Sequence, residues 1–532
     1  MINPSSDKLN APATVPASVG ATNDDVRYPP DALLYRRQFV IGPRLVDDFP
    51  SWKRLSIGKR FCITAHPDLS TCQVSDGESS ITLLGYVLDP DHWQLSDEEI
   101  LESLLPALVG GHLVPALSRL GGRWVLVADT PAETLVFNDA FGLRQVHYTE
   151  RRSERWCAAQ PGLLAATLGL AADERALGAL GHCGNMQFWW PGPRTLYRDV
   201  MRLIPNHSLD LRTGRVERYW PDEPCRPRPI AEAVEACCTV AQGMFRAAHR
   251  RFALAQTITA GWDSRLSLAA SRALSPDVVY FTMRHWEMPE DYRDLAVPAR
   301  LLPTLGLKHH VIRCPDMMAP AFERVYMRNA PVAHYSYGVL AQGMNDWGLG
   351  NRMCVKSNVA NILKTSFVLP LSFSGPVRAD DLLGLTWLKP NAYWRKPSQF
   401  MLDSVDEWLS ATTPHLMGFD ASELFYWEDW LGSWQAASQH EWEIVIDSFD
   451  PMNCRSLMAL LLSVPRELRG SPRYSIHRTA IEQMWPEALV APINPESSAT
   501  GLARVRQIVA RSRPYRRLRK VLGTAQVKRG SY

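Results

Sequence analysis

The sequence has no apolar run long enough to cross a bilayer, no cysteine pair at metal-binding spacing, no secretory leader and almost no net charge. Each absence removes a class of function. A membrane-spanning helix needs about 20 apolar residues, and Leu457-Met-Ala-Leu-Leu-Leu462 is far too short. Residues 1–28 are rich in Pro, Ser, Ala and Asn and lack both a basic and an apolar signal region, so they read as a flexible leader. The ten cysteines are scattered, and the one close pair, Cys237-Cys238, is adjacent and cannot form a C-x-x-C site. A reduced cytoplasm is the expected compartment, with the thiols acting as small buried apolar groups. Lys and Arg total 58 against 55 Asp and Glu, a balance that argues against nucleic acid as the main partner. The positive charge is local: residues 501–532 hold ten cations and no acid, a pattern that most often marks a solvated helix face or a disordered tail.

What is present is a large globular chain. Its 532 residues, 46% of them apolar, allow two to four domains with sizeable cores. Residues 29–220 carry short β-rich runs at 82–88, 122–128, 134–137 and 145–148, with helical patterns at 97–108 and 114–120 between them, which predicts an α+β domain. The proline-rich stretch at 221–230 reads as a linker. Residues 231–500 change character: a helix at 231–251 is followed by alternating strands (252–258, 278–282, 310–312) and a helix at 294–305 that contains Pro298 and Pro303. Such alternation builds a parallel sheet with ligands at the carboxyl ends of its strands.

The stretch that organises this second part is Phe252 to Ala270, FALAQTITAGWDSRLSLAA. A strand that feeds a helix through Thr259-Ala260-Gly261 aims backbone N–H groups and the positive end of the helix dipole at one point, where phosphate binds. Asp263 could hold magnesium there, and the Thr259 and Ser264 hydroxyls could donate to phosphate oxygens. The plainer alternative is that Asp263 or Ser264 caps a helix. Further on, a helix through 423–434 would put Trp427, Trp430 and Trp434 on one face, within a stretch that also holds Trp387, Trp394, Trp408 and Trp442. Such a stripe forms an aromatic core or, as the alternative, the wall of a substrate pocket.

Thr259-Ala260-Gly261-Trp262-Asp263-Ser264-Arg265 resembles the Ser-Gly-Gly-x-Asp-Ser pyrophosphate loop of the asparagine synthetase family, with Thr259 and Ala260 in place of Ser and Gly. Other pieces match in order: Leu120-Gly-Gly-Arg-Trp124, Asp139-Ala-Phe-Gly-Leu-Arg-Gln-Val-His-Tyr148 and Arg218-Tyr219-Trp220 in the first half, and Ser463-Val-Pro-Arg-Glu-Leu-Arg469 with Tyr474-Ser-Ile-His-Arg478 near the end. Taken singly, Gly142 has a plain explanation as a turn residue and Arg144 as a surface cation. The resemblance covers roughly residues 37–495. It implies an N-terminal-nucleophile-hydrolase-like sandwich followed by an adenine-nucleotide α-hydrolase-like α/β synthetase domain with a helical carboxyl-terminal part. ATP and Mg2+ are the implied cofactors, and Thr282 falls on the strand that contacts the nucleotide in the family.

Three positions depart from the family. Ile2 stands where the glutaminase has its N-terminal cysteine, and the first cysteine, Cys62, lies well inside the domain, so no glutamine hydrolysis is expected and the first half reads as a scaffold or docking surface. Asn361 occupies the place of a metal-holding acid, so the implied metal ligands are Asp263 and Asn361, with Lys356 offering compensating charge. Tyr474 sits about where the synthetases have a lysine that stabilises adenylation; with Arg473 as the adjacent cation, the implied catalytic set is Asp263, Tyr474 and Arg473. The expected activity is AMP-forming amide ligation of a small-molecule or peptide carboxylate with an amine, resembling the chemistry of β-lactam synthetases and lasso-peptide macrocyclases. The alternative is a non-catalytic homologue that binds a nucleotide or a partner protein.

Overall fold

The computed structural model describes residues 27–182, 189–285, 288–330, 334–385 and 398–495. Ile2, nearly all of the leader, Trp387, Trp394 and the basic tail therefore lie outside the described residues. Two antiparallel six-stranded sheets make up the first half. One runs Met201–Arg202, His147–Arg151, Glu154–Ala158, Phe39–Gly42, Phe61–Ala65, Lys53–Ile57; the other runs Val216–Arg218, His207–Asp210, Thr134–Asn138, Gly121–Asp129, Ser80–Leu88, Thr71–Ser75.

Alternation along the strands dictates their stacking. Phe39 and Ile41 from one sheet meet Val125 and Val127 from the other in a shared core. The opposite faces are covered separately: Trp124, Leu126 and Ala128 pack with Ile100, Leu101 and Leu104 of the helix Asp97–Val109, and Val40 packs with Leu163 and Leu164 of the helix Pro161–Leu168. The result is a helix-sheet-sheet-helix sandwich, an α+β arrangement as expected.

The second half holds a five-stranded, wholly parallel sheet in the order His309–Arg313, Val279–Arg284, Leu254–Thr257, Met353–Val355, Asp447–Phe449. In chain order this is 3-2-1-4-5, so the strand direction of progress reverses beside Leu254–Thr257. One face, with Leu254, Tyr280, Met353 and Phe449, joins the helices Ile230–Arg251 and Trp262–Ala270. The other, with Ala255, Phe281, Ile312 and Cys354, joins Pro320–Asn329 and Tyr335–Trp347. Pro298 and Pro303 both sit inside the helix Arg293–Thr304. No helix among the described residues is long and apolar enough to cross a membrane.

The halves are joined by buried charge. Arg144, which composition alone would place at the surface, is 2% exposed. With Arg123 it grips Glu443 (2.8 and 2.5 Å) and Asp447 (3.1 and 3.0 Å) of the other half. Gly142 turns the chain just before it at a φ of +59°, where a β-carbon would meet Pro205. The turn reading of Gly142 thus holds, and the surface reading of Arg144 is corrected.

The tryptophan stripe is also corrected. Residues Tyr426–Gln435 form a π-helix, whose i to i+5 bonding widens the turn beyond 3.6 residues. Tyr426, Trp430 and Trp434 therefore make one ladder (ring centroids 5.9 and 5.6 Å). Trp427 leaves it to stack on Phe141 of the first half at 4.6 Å. Trp408, Trp427 and Trp430 are all buried, so these rings are core.

Candidate functional site

Thr259-Ala260-Gly261 leaves the carboxyl end of Leu254–Thr257 and enters the helix Trp262–Ala270. The strand Leu254-Ala-Gln-Thr257 is buried over its first three residues because the sheet is covered on both faces, and Gly261 starts the helix without a side-chain cap. The carboxyl ends of the neighbouring strands bring Thr282, Lys356 and Asp450 to the same rim of the sheet. A crevice at the reversal point of an open α/β sheet is where such folds bind ligands.

The loop is tightly knit. The Thr259 amide donates to Ser264 Oγ at 3.2 Å, and the two hydroxyls lie 2.9 Å apart. The Gly261 amide donates to Thr259 Oγ1, and the Ala260 amide to Asp294 Oδ1 at 2.9 Å. Thr282 donates its hydroxyl to the Ile258 carbonyl at 2.7 Å and lies 2.9 Å from His309 Nε2.

Asp263 does not cap its helix, which removes the plain alternative. Its Oδ2 accepts from Lys364 Nζ at 2.7 Å, and its Oδ1 faces His477 Nε2 at 3.2 Å. Burial alone would raise its pKa, but Lys364 and His477 outweigh that and hold the carboxyl below its ordinary range. Neither partner was anticipated. Lys364 closes the short 3-10 helix Val359–Lys364, three residues after Asn361, and His477 lies three residues after Tyr474, so one helical turn beyond each motif position was the available signal.

The other expected residues are placed as follows. Asn361 directs its amide NH2 to Tyr426 Oη at 2.6 Å. Tyr474 adopts a left-handed conformation (φ +47°) at the start of the helix Ser475–Met484, and its ring lies 5.2 Å from that of Trp262. Arg478 sits over the same Trp262 ring at 5.4 Å, while Arg473 is exposed. Lys356 does not reach the loop carboxylate; its ammonium lies 3.7 Å from the Trp442 ring centroid, and burial lowers its pKa to about 8. Asp450 accepts the amides of Val359 and Met452 at 2.9 and 3.0 Å, and burial pushes its carboxyl up to about 7. The structure thus ties Thr259, Gly261 and Ser264 to one another in the loop that also carries Ala260 and Asp263, sets Tyr474 against the Trp262 ring and sets Asn361 against Tyr426.

Magnesium prefers six oxygens with at least one or two carboxylates or phosphates among them. Here Asp263 has a cationic or hydrogen-bonding nitrogen on each oxygen, Asp450 on the same rim already accepts a backbone amide on each of its oxygens, Asn361 turns its NH2 to a phenol, and no group of three His, Cys, Asp or Glu capable of holding a metal occurs among the described residues. This donor set does not fit a resident divalent ion.

A cavity of about 310 Å³ opens elsewhere, between Leu369, Phe373, Phe419 and Val464, with no tryptophan in its wall. Its arginines are already neutralised, Arg466 by Asp420 and Glu423 and Arg469 by Glu423.

No protein-family model and no curated protein matches the chain. Solved structures with some likeness include the allosteric regulatory enzyme of purine biosynthesis (11% identity, 57% of this chain and 75% of that one, TM-score 0.24). Another is glutamine phosphoribosylpyrophosphate amidotransferase from B. subtilis complexed with ADP and GMP (12%, 57% and 74%, 0.24). A third is glutamine-dependent NAD+ synthetase from Acinetobacter baumannii in complex with ADP (10%, 48% and 65%, 0.18). Scores this low carry no functional argument.

Proposed function

We propose that the chain is an ATP-dependent, AMP-forming amide ligase, similar in plan to the asparagine synthetase family, which activates a carboxylate as its acyl-adenylate for capture by an amine without hydrolysing glutamine. One observation carries the reading: the Thr259 to Ser264 loop lies at the reversal point of a 3-2-1-4-5 parallel sheet, at the carboxyl end of its first strand. The uncapped amides at the start of Trp262–Ala270 favour the negative charge of pyrophosphate as it leaves the α-phosphorus. Lys364, already 2.7 Å from Asp263, adds a cation on the same side. The amine comes from free ammonia, from the substrate itself or from a second molecule. In this plan ATP is the cosubstrate, and magnesium would enter bound to its phosphates.

A second reading has its own support. Asp263 with both oxygens engaged and Asn361 committed to Tyr426 favour a homologue that binds nucleotide, or a partner protein, without catalysis. Exchange of labelled pyrophosphate into ATP, run against a panel of carboxylates and peptides, separates the two. Carboxylate-dependent exchange supports the ligase. ATP binding without exchange across the panel leaves the non-catalytic reading standing.

A further inference from the structure

The loop lacks the ligands of a divalent ion but holds a lysine on its carboxylate. Lys364 is carried on a rigid mount: Val359–Lys364 is anchored by the Val359 amide on Asp450, and Thr365, which follows it at a φ of +54°, packs so closely on Gly470 that a β-carbon there would meet Thr365 Oγ1 at 2.0 Å. The ammonium has three N–H donors, and Asp263 takes one of them. The Lys364 side chain keeps 19% of its surface open, and among the described residues its ammonium bonds Asp263 alone. Across from it, the first turn of Trp262–Ala270 has no side-chain cap, which leaves its leading amides for an anion.

We infer that Lys364 takes the place of a resident divalent ion at this loop, so that the site does not require metal to bind the phosphates of an inorganic or nucleoside polyphosphate. The inference rests on reading the loop as a polyphosphate site, and it specifies how that site is neutralised. In the empty protein Asp263 holds the lysine in position; on binding, phosphate oxygens take its two spare donors and the helix amides. The Asp263 carboxylate then works against the ligand, because it stands beside the phosphates with no divalent charge between them.

The test is calorimetric binding of inorganic pyrophosphate to the full chain in EDTA, repeated with excess magnesium. Pyrophosphate should bind in EDTA. Lys364→Met should weaken that binding at least about tenfold, the size of one charge-assisted hydrogen bond, and Lys364→Arg should restore most of it. Asp263→Asn should tighten metal-free binding severalfold, an effect that loss of structure cannot produce and that guards against a misfolded Lys364→Met. Circular dichroism and urea midpoints check the fold of each variant. Binding that appears only with magnesium, or metal-free binding that Lys364→Met leaves unchanged, overturns the inference even if pyrophosphate exchange is active. Metal-free binding with the expected variant pattern upholds it even if no carboxylate supports exchange. No binding under either condition overturns both this inference and the polyphosphate reading of the loop.

Discussion

Glu443 is the most heavily engaged charge between the two halves, and replacing it by Gln is the clearest test of what holds them together. Its Oε1 lies 2.5 Å from Arg123 Nη1 and 2.8 Å from Arg144 Nη1, and its Oε2 lies 2.9 Å from His440 Nδ1. Glu443 is 1% exposed, Arg123 fully buried and Arg144 nearly so. Gln keeps the volume and one acceptor but leaves two buried guanidinium groups with only Asp447 to balance them. Removing one partner of a buried pair costs about 3–5 kcal/mol, and the retained acceptor puts Glu443→Gln near the lower end, about 3 kcal/mol. With a urea m-value at or above about 3 kcal/mol/M for a chain of this size, the transition that separates the halves should fall by roughly 1 M or less. Intrinsic tryptophan fluorescence, to which Trp427 stacked on Phe141 across the junction contributes, follows it.

The pH dependence supplies an independent arm. Burial would raise the Glu443 carboxyl, but Arg123 and Arg144, with His440, overcome it and hold the pKa well below the ordinary 4.5. A depressed carboxyl stabilises the fold above its unfolded pKa, and that contribution drains away as pH falls below about 4.5. The wild-type and Glu443→Gln urea midpoints should therefore differ most at pH 7 and converge in acid. A difference under about 1 kcal/mol at pH 7, or two curves that stay parallel from pH 7 to pH 3, would refute the reasoning.

Other outcomes follow from the same contacts. Asp263→Ala should lower carboxylate-dependent pyrophosphate exchange while the circular dichroism spectrum is unchanged, because Lys364 loses the anion that positions it; near-normal exchange would show that this positioning is not needed. The purified protein should release no ammonia from glutamine, because Cys62 sits within Phe61–Ala65, paired to Gly42 on one side and Ser56 on the other; a measurable glutaminase rate would contradict this. Gly243→Ala should destabilise by about 1–3 kcal/mol in urea titration, since its β-carbon would meet the Pro90 carbonyl oxygen at 2.2 Å, whereas Gly121→Ala should cost less because the flexible end of Met244 can yield; equal costs would be the contrary result. Asn361→Asp should move the magnesium midpoint of exchange by less than about threefold, since this side chain bonds Tyr426; a tightening of about tenfold, or 1.4 kcal/mol, would put position 361 at a metal.

Where the sequence carried a strong local period, it told the fold. The strand expected at 278–282 is Val279–Arg284 and the helix expected at 294–305 is Arg293–Thr304, because alternation and the 3.6-residue repeat are properties of neighbours in the chain. What it did not tell depends on partners far along the chain or on helix pitch. Arg144 finds its acids some 300 residues away, and nothing near it in sequence marks it as buried. The tryptophan stripe was laid out at 3.6 residues per turn, and the π-helix moved Trp427 off it. At the loop, the strand-turn-helix setting of Asp263 was legible, but its two partners come from positions 364 and 477, far along the chain.

These long-range contacts also give the first half a physical role that does not require a nucleophile. Asp139 is buried, and its carboxylate gathers the amides of Leu143 and Arg144 at 2.9 Å and the Asn453 side chain at 3.0 Å. Asn453 in turn donates to the Gly122 carbonyl at 2.7 Å, and Trp427 Nε1 donates to the Ala140 carbonyl at 2.8 Å. The turn that follows the last parallel strand is thus fixed by the first half. That turn carries Asp450, which accepts the Val359 amide at the start of the segment ending in Lys364. A hydrogen-bonded path therefore runs from the antiparallel sandwich to the lysine on Asp263. An isolated second half would leave Glu443 and Asp447 without Arg123 and Arg144 and would free the turn that seats Lys364. The sandwich thus clamps the turn after the last parallel strand, from which Asp450 anchors the segment that carries the loop's cation.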